Sequence, residues 1–298
     1  MPATLIDGKA LAETIRAEIA AEAAAFEVET SIKPGLADIL VGDDPASKVY
    51  VRNKAKAATA AGFRFDTVEL PGDSTAERVA GEIERLNQDE GIHGILMQLP
   101  VPKHLDGDAL VRTIAVEKDV DGLNPTNVGK VALGLPGFIP CTPKGVMEIL
   151  HRFNIETQGR KVVIVGRSNL VGRPLSQLLS QKGKGADATV CLCHSSTNDL
   201  AAEVRSADIV IAAVGIARLI TGEMVKPGAA VIDVGINQIA DPSTKSGTRL
   251  VGDVDFESVK EVAGYLTPVP GGVGPMTVAM LLSNGLWAAR KAAEKDNR

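Results

Sequence analysis

Apolar residues follow two spacings along the chain, one typical of helices and one typical of buried strands. In residues 9–26 they recur at every third and fourth position, which predicts an amphipathic helix. Short aliphatic runs at 36–41, 65–70 and 92–99 predict strands, and segments 45–61 and 75–88 predict helices between them. Strands that alternate with helices indicate βαβ units and an α/β protein.

The same alternation restarts in the second half of the chain. Strands are predicted at 161–165, 188–193, 208–214, 229–234 and 265–267, with a last apolar helix at 276–293. Between the halves, residues 100–143 are rich in proline, glycine, aspartate and asparagine, and we expect an irregular stretch that binds a ligand or connects two domains. The pattern predicts two α/β domains that meet near residue 141.

Composition and charge exclude several classes of function. The net charge of −5 argues against a nucleic-acid or anionic-membrane partner, because both require a basic surface. No apolar run approaches the ~18 residues of a membrane span, and the N-terminus is charged too early for a signal peptide. The three cysteines lack zinc-ligand spacing, so we expect reduced thiols, no metal site and a soluble cytoplasmic protein.

Tyr50 and Lys54 are the first candidates for chemistry. A four-residue step places both side chains on one face of the predicted helix, which pairs a flat ring with an amine and suits a planar, protonatable substrate. Arg52 and Lys56 point away from Tyr50. A lysine in such a helix is commonly solvent-facing, and this alternative stays open here.

A glycine turn follows the first strand of the second half. Gly166 and Gly172 lack a Cβ and precede a predicted helix, so a phosphate could approach the free amides at the helix start. Ser168 replaces the second glycine of the dinucleotide fingerprint, so an ordinary tight turn is the alternative.

The strand after that turn bears on the choice of nucleotide. It closes with His194 and Ser195 where an NAD-specific domain carries a carboxylate. Arg167 and Arg173, with the hydroxyls of Ser168 and Ser195, could hold a 2′-phosphate, which favours NADP. Alternatively, His194 and Ser195 cap the next helix.

Three further stretches add polar side chains or positions where a ligand could lie close to the main chain. Gln98 ends a buried strand, where it is either a strand-end cap or a ligand contact. Asp121 could accept paired hydrogen bonds from an amino-pyrimidine edge, although an Asp-Gly turn is often only structural. Pro270 and Gly271 belong to a rigid, glycine-rich loop that would let a flat ring lie against the main chain.

Six segments in order resemble one family over essentially the full chain: the bifunctional methylenetetrahydrofolate dehydrogenase/methenyltetrahydrofolate cyclohydrolases. The segments are 47–57, 94–102, 118–125, 140–145, 166–174 and 270–275. The resemblance implies oxidation of 5,10-methylenetetrahydrofolate with NADP to the 5,10-methenyl form and its hydrolysis to 10-formyltetrahydrofolate. It also implies a folate-binding catalytic domain of residues 1–140, a Rossmann-like NADP-binding domain of 141–274, a C-terminal helix 275–298 that returns to the first domain, a cleft between the domains, and a homodimer.

The resemblance also implies roles for the candidates. Tyr50 would stack on the pterin or the ring beside it, and Lys54 would be the acid/base group. Gln98 would orient and tune Lys54, and Asp121 would bind the pterin amino edge. The remaining implied contacts are Pro270 and Gly271 to folate, Gly166, Arg167 and Ser168 to the NADP phosphates, and Ile232 to the nicotinamide half. The chemistry of the residues agrees, because the hydrolysis needs a titratable group and the hydride transfer needs no metal.

Two alternatives from other classes remain at this point. One is a Rossmann-type oxidoreductase for another small substrate, such as a hydroxy acid or a shikimate-like compound. The other is a folate- or nucleotide-binding module without catalytic activity.

Overall fold

Parallel sheets flanked by helices form both halves of the protein. The computed structural model describes residues 2–244 and 247–296. One compact unit comprises the chain up to Ala12 and Thr142–Thr277, and the other comprises Glu13–Cys141 and the chain from Val278 onwards. We call the first the nucleotide unit and the second the amine unit, after the glycine turn and Lys54, respectively.

The amine unit is built on a three-stranded parallel sheet in the order β3-β2-β4. Its elements are α1 (Gly8–Thr30) from Glu13 onwards, β2 (Gly35–Val41), α2 (Pro45–Ala60), β3 (Arg64–Leu70), α3 (Ala76–Gln88) and β4 (Gly94–Met97). All seven residues of the central strand β2 are buried. Helix α2 starts where predicted because Asp44 accepts a hydrogen bond from the Ser47 amide at 2.7 Å and Pro45 occupies the first turn.

The stretch 100–143 is more ordered than its composition predicts. It contains α4 (Gly107–Val111) and α5 (Pro125–Ala132), and α6 (Cys141–Arg152) begins at its end. The expectation of an irregular segment is therefore wrong for these residues. The physical reason is capping: Asp106 and Asn124 each accept a hydrogen bond from a backbone amide in the first turn of the helix that follows.

The nucleotide unit holds a six-stranded parallel sheet in the order β1-β11-β8-β7-β5-β6. Its strands are β1 (Thr4–Leu5), β5 (Lys161–Val165), β6 (Thr189–Cys193), β7 (Ile209–Ala212), β8 (Ala230–Asp233) and β11 (Tyr265–Leu266). Its helices after α6 are α7 (Gly172–Ser180), α8 (Leu200–Arg205) and α9 (Phe256–Lys260), and β9 (Asn237–Ala240) pairs antiparallel with β10 (Thr248–Val251). The strand order reverses between β5 and β7, the point at which open α/β sheets bind ligands.

Both ends of the chain depart from a simple division into halves. Strand β1 pairs with β11 of the six-stranded sheet, so the N-terminus belongs to the nucleotide unit. The last helix, α10 (Val273–Asp296), contributes its residues from Val278 onwards to the amine unit. The predicted α/β class, with a Rossmann-like domain and a C-terminal helix that returns to the first half, is confirmed.

Candidate active site

Lys54 lies in the amine unit between two oxygen acceptors. Its Nζ donates to Gln98 Oε1 at 2.9 Å and lies 3.1 Å from Asp38 Oδ2. The lysine side chain is 19% exposed and that of Asp38 is fully buried. The solvent-facing alternative for Lys54 is therefore wrong, since the amine is tied to β2 and to the end of β4.

Gln98 is oriented by its own surroundings. Its backbone amide donates to the Ile39 carbonyl at 2.9 Å, which extends the pairing of β4 with β2 by one residue. Its side-chain nitrogen donates to the Leu99 carbonyl, also at 2.9 Å. Because that bond uses the NH₂ end of the amide, the oxygen is left to face Lys54.

Asp38 is the polar residue of this cluster that the sequence analysis missed. It lies in the middle of the aliphatic strand β2, opposite Thr67 and Leu96 of the neighbouring strands. Burial raises the pKa of Asp38 to about 6; the attraction of Lys54 opposes this rise, and the like charge of Asp121 adds to it. A charged residue inside an otherwise apolar run was the available signal, because such residues are rarely buried without a partner.

Tyr50 lies one turn before Lys54 on α2 and is 51% exposed. The four-residue step places the ring and the amine on the same side of the helix, as predicted. About half of the surface of Tyr50 is thus available for contact with a ligand.

Asp121 lies in a loop that buried side chains hold in place. Asp119, fully buried beside it, accepts hydrogen bonds from the Leu123 and Asn124 amides and from the Asn127 side chain. From α10, Asn284 donates to the carbonyls of Val120 and Ile139 at 2.7 and 2.9 Å. The half-buried Asp121 is therefore presented by a fixed backbone, and its charge acts on Asp38.

In the nucleotide unit, two residues of the turn must be glycine because a Cβ at either position would collide with the backbone. Gly166 has φ +122°, and a Cβ there would collide with the Ala213 carbonyl after β7. A Cβ on Gly172 would collide with the Gly166 carbonyl. The turn between β5 and α7 is thus closed tightly at the reversal of strand order, as a dinucleotide phosphate site requires.

The polar candidates around this turn lie at the surface. Arg167, Ser168, Arg173 and Ser195 are exposed, and His194 is half-buried. His194 and Ser195 do not cap α8, because Asp199 accepts the hydrogen bond from the Ala202 amide at its start. Ile232 differs from the others, since it lies inside β8 and is fully buried.

Two buried aspartates that the sequence analysis did not select hold the ends of β7 and β8. Asp253 accepts hydrogen bonds from the Val214 and Gly215 amides at 2.6 and 2.9 Å. Asp233 accepts them from the amides of Gly235, Asp253 and Val254. Burial raises the pKa of Asp233 to about 6, against these three hydrogen bonds. Both side chains fix loops at the carboxyl edge of the sheet.

The loop before α10 carries the last two candidates. Pro270 is exposed and follows a cis peptide bond from Val269. Gly271 has φ +107°, which favours glycine, and its carbonyl accepts a hydrogen bond from the Lys9 amide at 3.0 Å. Both belong to the nucleotide unit, whereas Lys54, Gln98, Tyr50 and Asp121 belong to the amine unit.

Further features of the described residues bear on the class of protein. No helix within 2–244 and 247–296 is both long and apolar enough to cross a membrane. The same residues contain no group of three or more histidine, cysteine, aspartate and glutamate side chains placed to hold a metal ion. Cys141, Cys191 and Cys193 are not joined in disulfides.

One unit has a Rossmann-like sheet with a tight glycine turn, and a second α/β unit of similar length has a partly buried lysine held by Gln98 and Asp38. Together these features define a class of nucleotide-dependent enzymes. Residues 6–121 match the tetrahydrofolate dehydrogenase/cyclohydrolase catalytic domain, and residues 140–293 match the NAD(P)-binding domain of the same family. The chain belongs to the tetrahydrofolate dehydrogenase/cyclohydrolase family.

Relatives and solved structures agree with this membership. The chain is 52% identical to a bifunctional protein FolD of Prosthecochloris aestuarii over 95% of this chain and 96% of the relative. A FolD of Nitrosospira multiformis is 53% identical over 98% of both chains. A Trypanosoma brucei methylenetetrahydrofolate dehydrogenase-cyclohydrolase, solved with NADP and an inhibitor, superposes with a TM-score of 0.92 at 45% identity, covering 98% of both chains. The corresponding Campylobacter jejuni structure gives 0.91 at 46%, covering 97% of this chain and 99% of that one.

Proposed function

We propose that Lys54 is the acid/base group of the two-step folate chemistry of this family. As a member, the chain oxidises 5,10-methylenetetrahydrofolate with NADP and hydrolyses the 5,10-methenyl product to 10-formyltetrahydrofolate. The observation that supports the role of Lys54 is its fixed position between Gln98 Oε1 and Asp38 Oδ2. An amine held by two acceptors and still partly exposed can exchange protons with a ligand.

The hydrolysis gives Lys54 two proton transfers. Water adds to the cationic one-carbon centre, its O–H bond breaks, and the neutral amine accepts the proton. The resulting ammonium donates a proton to the ring nitrogen as its bond to that carbon breaks, and the hydroxyl proton of the adduct leaves to solvent. The products are the formyl amide and one released proton, so atoms and charge balance.

Tyr50 and Asp121 suit the binding of the folate ring. The half-exposed Tyr50 offers a flat surface on the Lys54 side of α2. Asp121, on its fixed loop, offers two acceptor oxygens that match the paired N–H groups of an amino-pyrimidine edge. The folate contacts of Pro270 and Gly271 stay predictions.

NADP fits the turn between β5 and α7. Gly166 and Gly172 let the turn close tightly at the start of α7, where free amides can meet a phosphate. Donors around it come from Arg167, Ser168, Arg173, His194 and Ser195, without a carboxylate at the end of β6. When bound, NADP supplies the hydride acceptor of the oxidation. These residues bind and orient it, and a nicotinamide contact from Ile232 stays a prediction.

Homodimer formation and a cytoplasmic location are further parts of the proposal, carried over from the family resemblance. Sedimentation equilibrium should give twice the mass of the chain, and a mass equal to one chain would contradict the dimer. Cell fractionation should place the protein in the cytosolic fraction; recovery mainly with another fraction would contradict the location.

The role of Lys54 is tested by replacing the amine. Lys54→Met should reduce hydrolysis of methenyltetrahydrofolate by at least about 100-fold, the lower range of a general acid/base contribution. NADP affinity should be unchanged, and the protein should still fold, with a lower free energy of unfolding because the buried Asp38 carboxylate loses its Lys54 partner. The matched control is Lys56→Met, which removes an exposed lysine two positions along the same helix. Full hydrolysis by Lys54→Met would remove Lys54 from the mechanism.

A further inference from the structure

Asp38 is a buried carboxylate at the proposed acid/base group. Its residue surface is 0% exposed, and its Oδ1 is buried with no hydrogen-bond partner among the described residues. A buried carboxylate with one unpaired oxygen costs free energy. Because the flanking residues of β2 are aliphatic, an apolar side chain would pack there at a lower cost in folding free energy. Packing alone therefore does not account for Asp38.

The geometry around Lys54 suggests what Asp38 does. A primary amine has four tetrahedral valences, of which one is the bond to carbon. Asp38 Oδ2 and Gln98 Oε1 take two of the remaining three, and both can accept an N–H bond whether the amine is neutral or charged. The third valence then holds the lone pair of the neutral amine or the third proton of the ammonium. The two acceptors therefore fix the direction in which Lys54 exchanges its proton.

We propose that Asp38 is a positioning residue for the hydrolysis: together with Gln98 it aims the exchangeable valence of Lys54 and adjusts the charge of that amine. This inference rests on the proposed function of Lys54. Gln98 supplies a neutral acceptor, so the carboxylate is the partner that stabilises the ammonium relative to the neutral amine. Removing only its charge should leave the amine in place and change the pH range in which it works.

Two charged side chains act on Asp38. Lys54 on α2 attracts its carboxylate, and Asp121 in the loop before α5 repels it. From the sheet, the residues opposite it are Thr67 on β3 and Leu96 on β4, which do not titrate in this range. Because the pKa of Asp38 is raised to about 6, the carboxylate is charged at neutral and alkaline pH. Asp38 therefore faces Lys54 as an anion where the hydrolysis is assayed.

The test compares Asp38→Asn with Asp66→Asn. The first keeps the shape and an oxygen acceptor but removes the charge. The second makes the same chemical change on the adjacent strand β3, at a side chain that is 37% exposed and paired with Arg64. Methenyltetrahydrofolate hydrolysis is measured from about pH 5.5 to 9 for both variants and wild type, along with NADP-dependent oxidation of methylenetetrahydrofolate.

We expect Asp38→Asn to lower kcat of the hydrolysis about tenfold, with KM within about twofold, because positioning and not binding is lost. Its pH profile should be displaced from that of wild type, because the carboxylate with a pKa of about 6 no longer titrates beside Lys54. The oxidation should stay within about threefold of wild type, because hydride transfer needs little acid/base help. Asp66→Asn should match wild type in every respect.

Several outcomes would overturn the proposal. An unchanged rate and profile would show that Asp38 does not act on Lys54, and an equal loss of both activities with an unshifted profile would assign it a packing role. If Asp38→Asn does not fold, Asp38→Val, which continues the aliphatic strand, must show the same displaced profile. A wild-type protein without hydrolysis would instead refute the proposed function itself, and the two failures are therefore distinguishable.

Discussion

At the scale of single residues, the site depends on carboxylates with different degrees of burial. Asp38 and Asp119 are buried, whereas Asp121, two positions after Asp119, is half-buried. Asp119 uses both oxygens to hold the loop amides and Asn127. The buried member thus shapes the loop and the more exposed member is placed to bind.

Replacement of Asp121 by alanine should weaken folate binding more than catalysis. Loss of a charged hydrogen-bond acceptor costs about 1.5–3 kcal/mol, which is a rise of about 10- to 150-fold in KM or in the dissociation constant of a folate inhibitor. NADP affinity should not change. Asp108→Ala, an exposed aspartate in α4 of the same unit, serves as the control. Unaltered folate affinity in Asp121→Ala would remove this residue from the pterin site.

At the scale of elements, Gly122 shows why the loop after Asp121 needs glycine. Its φ is +67°, and a Cβ there would lie 2.8 Å from the Phe138 carbonyl oxygen and 3.0 Å from the Pro140 nitrogen. Both obstacles are backbone atoms, which cannot rotate away. The close approach of the two chain segments therefore depends on the missing side chain.

Gly122→Ala should destabilise the amine unit by about 1–3 kcal/mol and raise KM for folate, since the loop that presents Asp121 must shift. The control is Gly129→Ala, within α5, where an added Cβ meets nothing within 4 Å. That change should be neutral or stabilising by up to about 1 kcal/mol, because alanine is the better helix former. Urea unfolding followed by the fluorescence of Trp287, the one tryptophan of the chain, reports on this unit. Equal stability of the two variants would contradict the steric argument.

Sequence patterns predicted the long elements and missed the short or distant ones, for physical reasons. Helix α2 and strand β5 carry capping residues or continuous aliphatic runs, and their predicted limits differ from the observed ones by at most one residue. Strand β1 has two residues, too few for any periodicity, and it forms by pairing with β11, which is more than 250 positions away. Helix α5 carries a local signal, Asn124 followed by Pro125, that the loop-like composition around it obscured.

The candidate site was predictable to a similar extent. Lys54 and Tyr50 follow from helical spacing, and the glycine turn follows from its place after a strand. The pairing of Lys54 with Gln98 and Asp38 joins three elements, and no local pattern contains it. Asp38 in particular was hidden because it belongs to a strand that otherwise reads as core.

At the scale of the whole molecule, three buried carboxyls each contribute to the free energy of unfolding by an amount that depends on pH. Burial raises the pKa values of Asp38, Asp119 and Asp233 to about 6 from 3.8. Below pH 3.8 each group is protonated in both the folded and the unfolded chain. Between 3.8 and about 6 the unfolded chain loses these protons while the folded chain retains them, so the contribution of these three groups to stability falls as pH rises through this window and then levels off.

Asp38→Asn isolates one of these contributions. Since the folded and unfolded pKa values differ by roughly 2 and the unfolded group is already partly ionised at pH 4, wild type should lose about 2 kcal/mol more than Asp38→Asn between pH 4 and pH 7. Urea titrations at both pH values, read from Trp287 in the same unit as Asp38, give this double difference directly. Asp66→Asn should retain the wild-type dependence, and the contributions of the carboxylates that the proteins share cancel in the difference. An identical pH dependence in wild type and Asp38→Asn would mean that the Asp38 carboxyl titrates alike in the folded and unfolded chain, and that its burial against Lys54 is fully compensated.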